Sequence, residues 1–223
     1  MAAEVAPGDV HAWLVDLDMP PDVARQALCP AELTRASSYL LPQDRARFAA
    51  SRAWLRVILS RYLGADPALL RFATSLGGRP TLAGEHAGLI QFSLSRSANH
   101  ALLAVSLGPI GADIELVSAR AGLPDLIASR FGAAEARCIA GGCGGSPLRS
   151  FYRHWTAKEA YLKATGRGLA GLRTTELNCG ANPAIHVGGR TVTRTLSLLD
   201  ATPDCAAAII AAGPVTTCRT ASQ

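Results

Sequence analysis

Lysine is almost missing from this 223-residue chain: of 22 basic residues 20 are arginine, and the two lysines, Lys158 and Lys163, stand five positions apart. A G+C-rich coding bias would leave such a composition behind. The spacing still matters, because a lysine ammonium can give up a proton and an arginine guanidinium cannot. Aromatic residues make up only 5% of the chain and do not alternate with basic ones, which argues against a recognisable RNA-binding motif and so against a nucleic-acid partner. No apolar run approaches the roughly 20 residues of a membrane span; the stretch Ala206 to Ala212 has the length of a buried strand. No basic residue precedes Arg25, whereas Glu4, Asp9, Asp16, Asp18 and Asp22 do, a pattern unlike a signal or transit peptide. Six cysteines are scattered, and only Cys138 and Cys143 are close, with no partnering histidine at zinc-site spacing. The expectation is a soluble, cytoplasmic protein with free thiols.

What is present is a chain that is 49% hydrophobic, enough for a real core, with a net charge of +5. The charge is uneven. Residues 1–34 hold six acids against Arg25, and residues 35–79 hold eight arginines against Asp44 and Asp66. The basic stretch is where an anion is expected, unless it is simply a solvated helix face.

From Asp44 to Gly64 the apolar residues fall at helical spacing, so one long helix is expected, stopped by Gly64 and Pro67. Strands are expected over 70–73, 89–94, 101–107 and 110–117, with a turn over 77–80, and a second helix over 151–163 closed by Gly166 and Gly168. The Gly141 to Gly145 run reads as a loop. Ala53-Trp54-Leu55-Arg56 matches Ala160-Tyr161-Leu162-Lys163 at an offset of 107 residues. Phe92 to Leu94 matches Leu196 to Leu198, and Ala101 to Val105 matches Cys205 to Ile209, both at 104. The fold class expected is α+β, a duplicated unit of a helix on antiparallel strands, with the ligand site in the cleft between the halves.

Three segments carry chemistry. In Ile110 to Leu116, Asp113 and Glu115 share one face of a strand, which is either a solvated face or a Mg2+ site open to substrate phosphates. On the second helix Trp155, Glu159 and Lys163 fall on one face, either as a surface ion pair or as the wall of a site. The third, Phe92 to Ser97, ends in Ser95 and Arg96, whose hydroxyl and guanidinium suit a phosphate.

Taken together, these motifs resemble the Sfp-type 4'-phosphopantetheinyl transferases over most of the chain. The residues that carry the resemblance are the Arg35 region, Ser51 to Arg56, Gly78-Arg79-Pro80, Phe92 to Ser97, Gly111 to Glu115, Arg130-Phe131-Gly132 with Glu135, Trp155 to Lys163, and Gly166 to Leu169. The family usually has His at Arg96, Lys at Arg79 and often Asn at Ser93. The resemblance implies a pseudo-twofold fold, divided here as 1–110 and 111–223. It implies transfer of the phosphopantetheine arm of coenzyme A to a serine of an acyl or peptidyl carrier protein, with release of adenosine 3',5'-bisphosphate. By position Asp113, Glu115 and Glu159 would hold Mg2+, Glu159 would act as the base, and Lys163 would neutralise or protonate the leaving phosphate. Arg35, Arg79, Ser95 and Arg96 would bind the coenzyme A phosphates. A net positive charge suits an acidic carrier, and the internal duplication suits a monomer. The alternatives are a homologue that binds coenzyme A or a carrier without catalysis, and a Mg2+-dependent nucleotide phosphohydrolase.

Overall fold

The computed structural model describes residues 4–18, 27–75, 78–143, 145–180, 182–199 and 202–221. Strand β1 (His11–Asp16) leads to helices α1 (Pro30–Ser37) and α2 (Pro42–Leu63). Two hairpins follow, β2 (Arg71–Thr74) with β3 (Pro80–Ala83), and β4 (Gln91–Ser97) with β5 (His100–Ser106). The plan then starts again. Strand β6 (Gly111–Leu116) leads to α3 (Leu123–Arg130), α4 (Ala133–Ala140) and α5 (Pro147–Thr165). After these come β7 (Thr175–Asn178), β8 (Ala184–Val187), β9 (Arg190–Thr191), the hairpin of β10 (Thr195–Leu199) with β11 (Cys205–Ala211), and β12 (Thr217–Ala221).

The two long helices form where proline and glycine frame them. Pro42 and Pro147 sit in the first turns, where a missing N–H costs nothing, and Gly64 and Gly166 close the helices at φ 61° and 69°. Ser146 also caps α5, its hydroxyl accepting from Arg149 N, so that helix begins four residues before the expected Phe151. Of the turn expected over 77–80, Gly77 lies outside the described residues.

Four layers result. Trp54, Leu55, Ile58 and Leu59 of α2 pack on Trp13 and Val15 of β1 and on Leu103 and Val105 of β5. The opposite face of that sheet, with Ala12, Leu14, Leu102 and Ala104, packs on Ala112, Ile114, Ala207 and Ile209 of the second sheet. Beyond it Ala157, Ala160 and Tyr161 of α5 cover Ala208 and Ile210. The sheets run β12-β1-β5-β4 and β10-β11-β6, so β1-β5-β4 and β6-β11-β10 are the same arrangement twice. The final strand departs from it: β12 pairs parallel to β1, returning from the second half to the first sheet.

The duplication is real but its register differs from the sequence match. Glu32 and Glu135 each sit at the third position of a short helix and accept from its N-cap amide. Each is paired from the long helix, by Arg56 at 2.8 Å and by Lys158 at 2.9 Å. Lys158 lies 102 positions after Arg56, as Gly166 does after Gly64, so the helices correspond at 102 rather than 107. Among the strands the match of Phe92 to Leu196 at 104 agrees with the fold, both side chains packing toward a long helix, but β11 is shifted against β5. Leu102 and Ala104 face the other sheet, as do Ala207 and Ile209, which requires an offset of 105 rather than 104. Since strand side chains alternate, a slip of one residue exchanges the faces.

The cysteines also differ from expectation. Cys138 and Cys143 form a disulfide, with Cα atoms 5.5 Å apart, while Cys29, Cys179, Cys205 and Cys218 are free thiols. Within the Gly141 to Gly145 run the amide of Cys143 bonds back to the carbonyl of Cys138, turning the chain over the end of α4.

Candidate functional site

The site begins with a close approach of backbones. Gly111 opens β6 against α5, and a Cβ there would overlap the carbonyl oxygen of Ala160. Only glycine lets strand and helix come this near, and their approach brings the strand's outward face under Lys163. Asp113, 2% exposed, accepts at Oδ1 from Lys163 Nζ and from Ser95 Oγ, both at 2.6 Å. Lys163 Nζ also donates to Ser95 Oγ at 3.0 Å and to the carbonyl of Ala112 at 3.2 Å, so its three N–H groups have three oxygen acceptors.

Strand β4 is laced to β6 across the two sheets by alternate serines. Ser93 Oγ accepts from Ala112 N at 3.0 Å, Ser95 donates to Asp113, and Ser97 donates to Glu115 at 2.9 Å while accepting from Leu116 N. The sequence placed Ser95 among phosphate ligands; the fold places it between Asp113 and Lys163. Ser93 and Ser97 join the site beyond the residues expected from sequence, and their period of two opposite Asp113 and Glu115 is the signal that marks them.

Three carboxyl groups crowd together here. Burial pushes Asp113 up despite the lysine and serine contacts that pull it back. Burial, then the charge of Asp113, holds Glu115 at about 7, and the charge of Glu159 adds to the effect. Burial and Asp113 raise Glu159 as well. Such a group of acids gains from a bound cation more than from one another. One atom says where: Asp113 Oδ2 is buried and has no hydrogen-bond partner among the described residues. An orphaned carboxylate oxygen beside two further carboxyls fits a hard divalent cation, and Asp113, Glu115 and Glu159 are the residues that would hold it.

The other face of β4 opens on a cavity of about 1080 Å³. Arg35, Arg52, Arg56, Arg71 and Arg96 line it against two acids, Glu32 and Glu85. Four of these arginines rest on aromatic rings. Arg35 and Arg96 lie over Phe48 at 5.7 and 5.4 Å, and Arg52 and Arg56 over Phe72 at 4.9 and 5.2 Å. Stacking fixes a guanidinium plane while leaving its N–H edge for an anion. Glu32 takes part of that charge, through Arg52 at 2.6 Å and Arg56 at 2.8 Å. Leu94 and Arg96 line this cavity, whereas Ser97 and Glu115 line a smaller one of about 220 Å³ with Tyr152 and Trp155. The large cavity lies in the first half, and the small one sits between the halves.

Arg79 stands apart. Its guanidinium donates to the carbonyls of Lys163, Phe92 and Ile110, the last two at 3.2 Å, and it is not among the residues lining the large cavity. It ties β4, the segment before β6 and the end of α5 into one unit. Lys158, which sequence reasoning left without a function, is fully buried, donates to Glu135 and to the carbonyl of Arg130 at 3.0 Å, and lies 4.3 Å from the Phe131 ring. Burial pulls its ammonium below the usual range against the pull of Glu135.

An arginine-lined cavity thus lies on one side of a strand and a buried carboxylate–lysine cluster on the other, the first with the charge to suit an anion and the second with the oxygens to suit a hard cation. Residues 109–209 match the model of the 4'-phosphopantetheinyl transferase superfamily. The 4'-phosphopantetheinyl transferase HetI of Nostoc sp. is 37% identical over 213 residues, 92% of this chain and 88% of the relative. The L-aminoadipate-semialdehyde dehydrogenase-phosphopantetheinyl transferase of Eremothecium gossypii is 34% identical over 216 residues, covering 79% of this chain and 77% of that one. A phosphopantetheinyl transferase of Thraustochytrium sp. is 28% identical over 184 residues, or 73% of this chain and 63% of its own length. The chain belongs to the 4'-phosphopantetheinyl transferase superfamily, and it is a transferase by that membership.

Proposed function

We propose that the protein transfers the 4'-phosphopantetheine arm of coenzyme A to a serine hydroxyl of an acyl or peptidyl carrier protein, with Mg2+. The observation that carries this reading is the orphaned Asp113 Oδ2 beside Glu115 and Glu159, one strand away from five arginines. Coenzyme A has the matching layout, a phosphate-rich nucleotide joined through a diphosphate to an uncharged arm. Its nucleotide phosphates would meet Arg35 and Arg96, with Arg52 and Arg71 adjoining, and its diphosphate would pass over the end of β4 toward Asp113. A divalent cation held by Asp113, Glu115 and Glu159 would offset the diphosphate charge.

In the reaction the serine oxygen forms a bond to the phosphorus that bears the pantetheine. The bond from that phosphorus to the bridging oxygen breaks, and adenosine 3',5'-bisphosphate leaves. Glu159, which faces this region from α5, takes the serine proton, directly or through a water. Burial and the charge of Asp113 raise its pKa, which makes its carboxylate a stronger base. Lys163 supplies positive charge beside the departing phosphate while its N–H groups hold Asp113, Ser95 and the Ala112 carbonyl in place. Ser95 and Arg79 act as positioning residues, the first for Asp113 and the second for the junction of the halves. The net charge of +5 favours encounter with an acidic carrier, and both sites lie within one chain, so a cytoplasmic monomer is sufficient.

The test is to incubate the protein with coenzyme A, Mg2+ and an apo carrier protein and to weigh the carrier. A gain of one phosphopantetheine arm, absent with Glu159→Ala, is the expected result. Coenzyme A binding without any mass gain across several carriers would identify a non-catalytic homologue. Nucleotide release without a carrier would identify a phosphohydrolase.

A further inference from the structure

In the second half, four side chains that are scattered in sequence come together. Cys138 lies near the end of α4, Cys143 in the turn after it, His154 in α5 and Cys179 just past β7, and their three sulfurs and one imidazole nitrogen all lie within 4.8 Å of one another. The spacing 138, 143, 154, 179 follows no zinc motif, and it is the fold that assembles the set. We propose that, with the Cys138–Cys143 bond reduced, this cluster is a tetrahedral zinc site of three thiolates and one histidine.

The geometry favours zinc in three ways. First, the histidine is prepared as a ligand. His154 is fully buried, and its Nδ1 is 2.8 Å from the carbonyl of Ser150, which fixes the proton on Nδ1 and leaves Nε2 with a lone pair. Second, that Nε2 lies 3.5 Å from the Cys179 sulfur. A sulfur and a nitrogen bound to one tetrahedral zinc, at bond lengths of about 2.3 and 2.1 Å, are about 3.6 Å apart. Third, the two remaining cysteines need little movement. Their Cα atoms are 5.5 Å apart, and the Cys143 amide already bonds to the Cys138 carbonyl. Opening the bond and turning the two side chains until the sulfurs are about 3.8 Å apart gives the separation that a shared zinc requires. Three sulfurs and one imidazole are a soft set that excludes Mg2+ and Ca2+, so this site does not compete with the carboxylates for their cation.

The chemistry balances with a dithiol reductant. It supplies two electrons and two protons to the Cys138–Cys143 disulfide and itself becomes a disulfide, and the three thiols release three protons as Zn2+ binds. Such a zinc would join α4, the turn after it and the exit of β7 to α5. His154 lies five residues before Glu159, about 7.5 Å along the helix axis. Fixing that segment would steady the helix that carries Glu159 and Lys163 without touching the transfer chemistry.

The test is metal analysis of the full chain purified in a phosphine reductant, together with titration of the same reduced, metal-free chain by Co2+. The expected results are one zinc per chain and, with Co2+, the intense visible bands of a tetrahedral thiolate site. Cobalt at carboxylates is pale and absorbs weakly, so the two sites are distinguished. Cys179→Ser should lose the zinc and the bands, and its circular dichroism shows whether it has folded; the cobalt spectrum of the unaltered chain stands whether or not it has. Less than a tenth of an equivalent of zinc, no tetrahedral cobalt bands, or a Cys138–Cys143 bond that survives the reductant would overturn the proposal.

Discussion

The same place in the two halves is filled by Arg56 and by Lys158, and five residues further along the helix by Arg61 and by Lys163. The first pair of positions has kept its meaning. Each cation is buried against a glutamate that also caps a short helix, Glu32 or Glu135, so each half locks its short helix to its long one through that glutamate, which in the first half Arg52 also meets at 2.6 Å. The second pair of positions has diverged. Arg61 lies over the ring of Trp13 at 5.5 Å, whereas Lys163 meets Asp113 at 2.6 Å. Strand β6 follows β1 by 100 residues when the faces are matched, so Asp113 stands where Trp13 stands and Glu115 where Val15 stands. One half put apolar bulk under its helix and became a scaffold for a basic cavity. In the other, the carboxylates of Asp113 and Glu115 stand in that place, where the proposed cation would bind.

The most severe way to break the comparison is at Asp113. Asp113→Asn should lower carrier modification by about a thousandfold, the scale on which preorganised charge acts in a transition state. Activity within tenfold of the parent would remove Asp113 from the site. Next come the locks. Lys158→Ala, and Arg52→Ala combined with Arg56→Ala, should each destabilise the protein by about 3–5 kcal/mol in urea unfolding, since each leaves a buried carboxylate unpaired. A loss under about 1 kcal/mol in either half would show that the two are not equivalent.

Exchange of one cation for the other separates the diverged positions. Lys163→Arg should cost about tenfold to a hundredfold in turnover with coenzyme A affinity retained, while Arg61→Lys should change neither. A Lys163→Arg protein with full turnover would leave the lysine no more than a charge, and one with none would make it a proton donor.

The smallest effect is in pH. Glu115 is held at about 7 against an ordinary 4.5, so without metal it favours the folded chain only while protonated. Its contribution is full below 4.5 and fades as pH rises through about 7. Thermal unfolding without divalent cations should therefore drop by a few degrees from pH 5 to pH 8, and added Mg2+ should restore more of it at pH 8 than at pH 5. A Mg2+ gain independent of pH would place the ion elsewhere.

Much of this was legible in the chain itself. Asp113, Glu115, Glu159 and Lys163 could be read because alternation and helical spacing put each on a defined face, and β4 and β5 because two short apolar runs flank a polar turn. What stayed hidden depended on contacts between distant segments. A buried lysine looks like any other until Glu135 is found against it, and the repeat register is set by that pair rather than by the similar tetrapeptides around Trp54 and Tyr161. The serines of β4 read as a polar strand end because their partners lie in another sheet. The return of β12 to β1 and the meeting of Cys138, Cys143, His154 and Cys179 leave no local trace at all.

The central claim is that the carboxylates of the second half, and not the arginine cavity of the first, hold the divalent cation. Binding of Mn2+ to the full chain in the presence of coenzyme A, followed by electron paramagnetic resonance, tests it directly. One Mn2+ per chain, lost in Asp113→Asn and kept in Arg96→Ala, is the predicted result; Mn2+ binding that survives Asp113→Asn unchanged would contradict it.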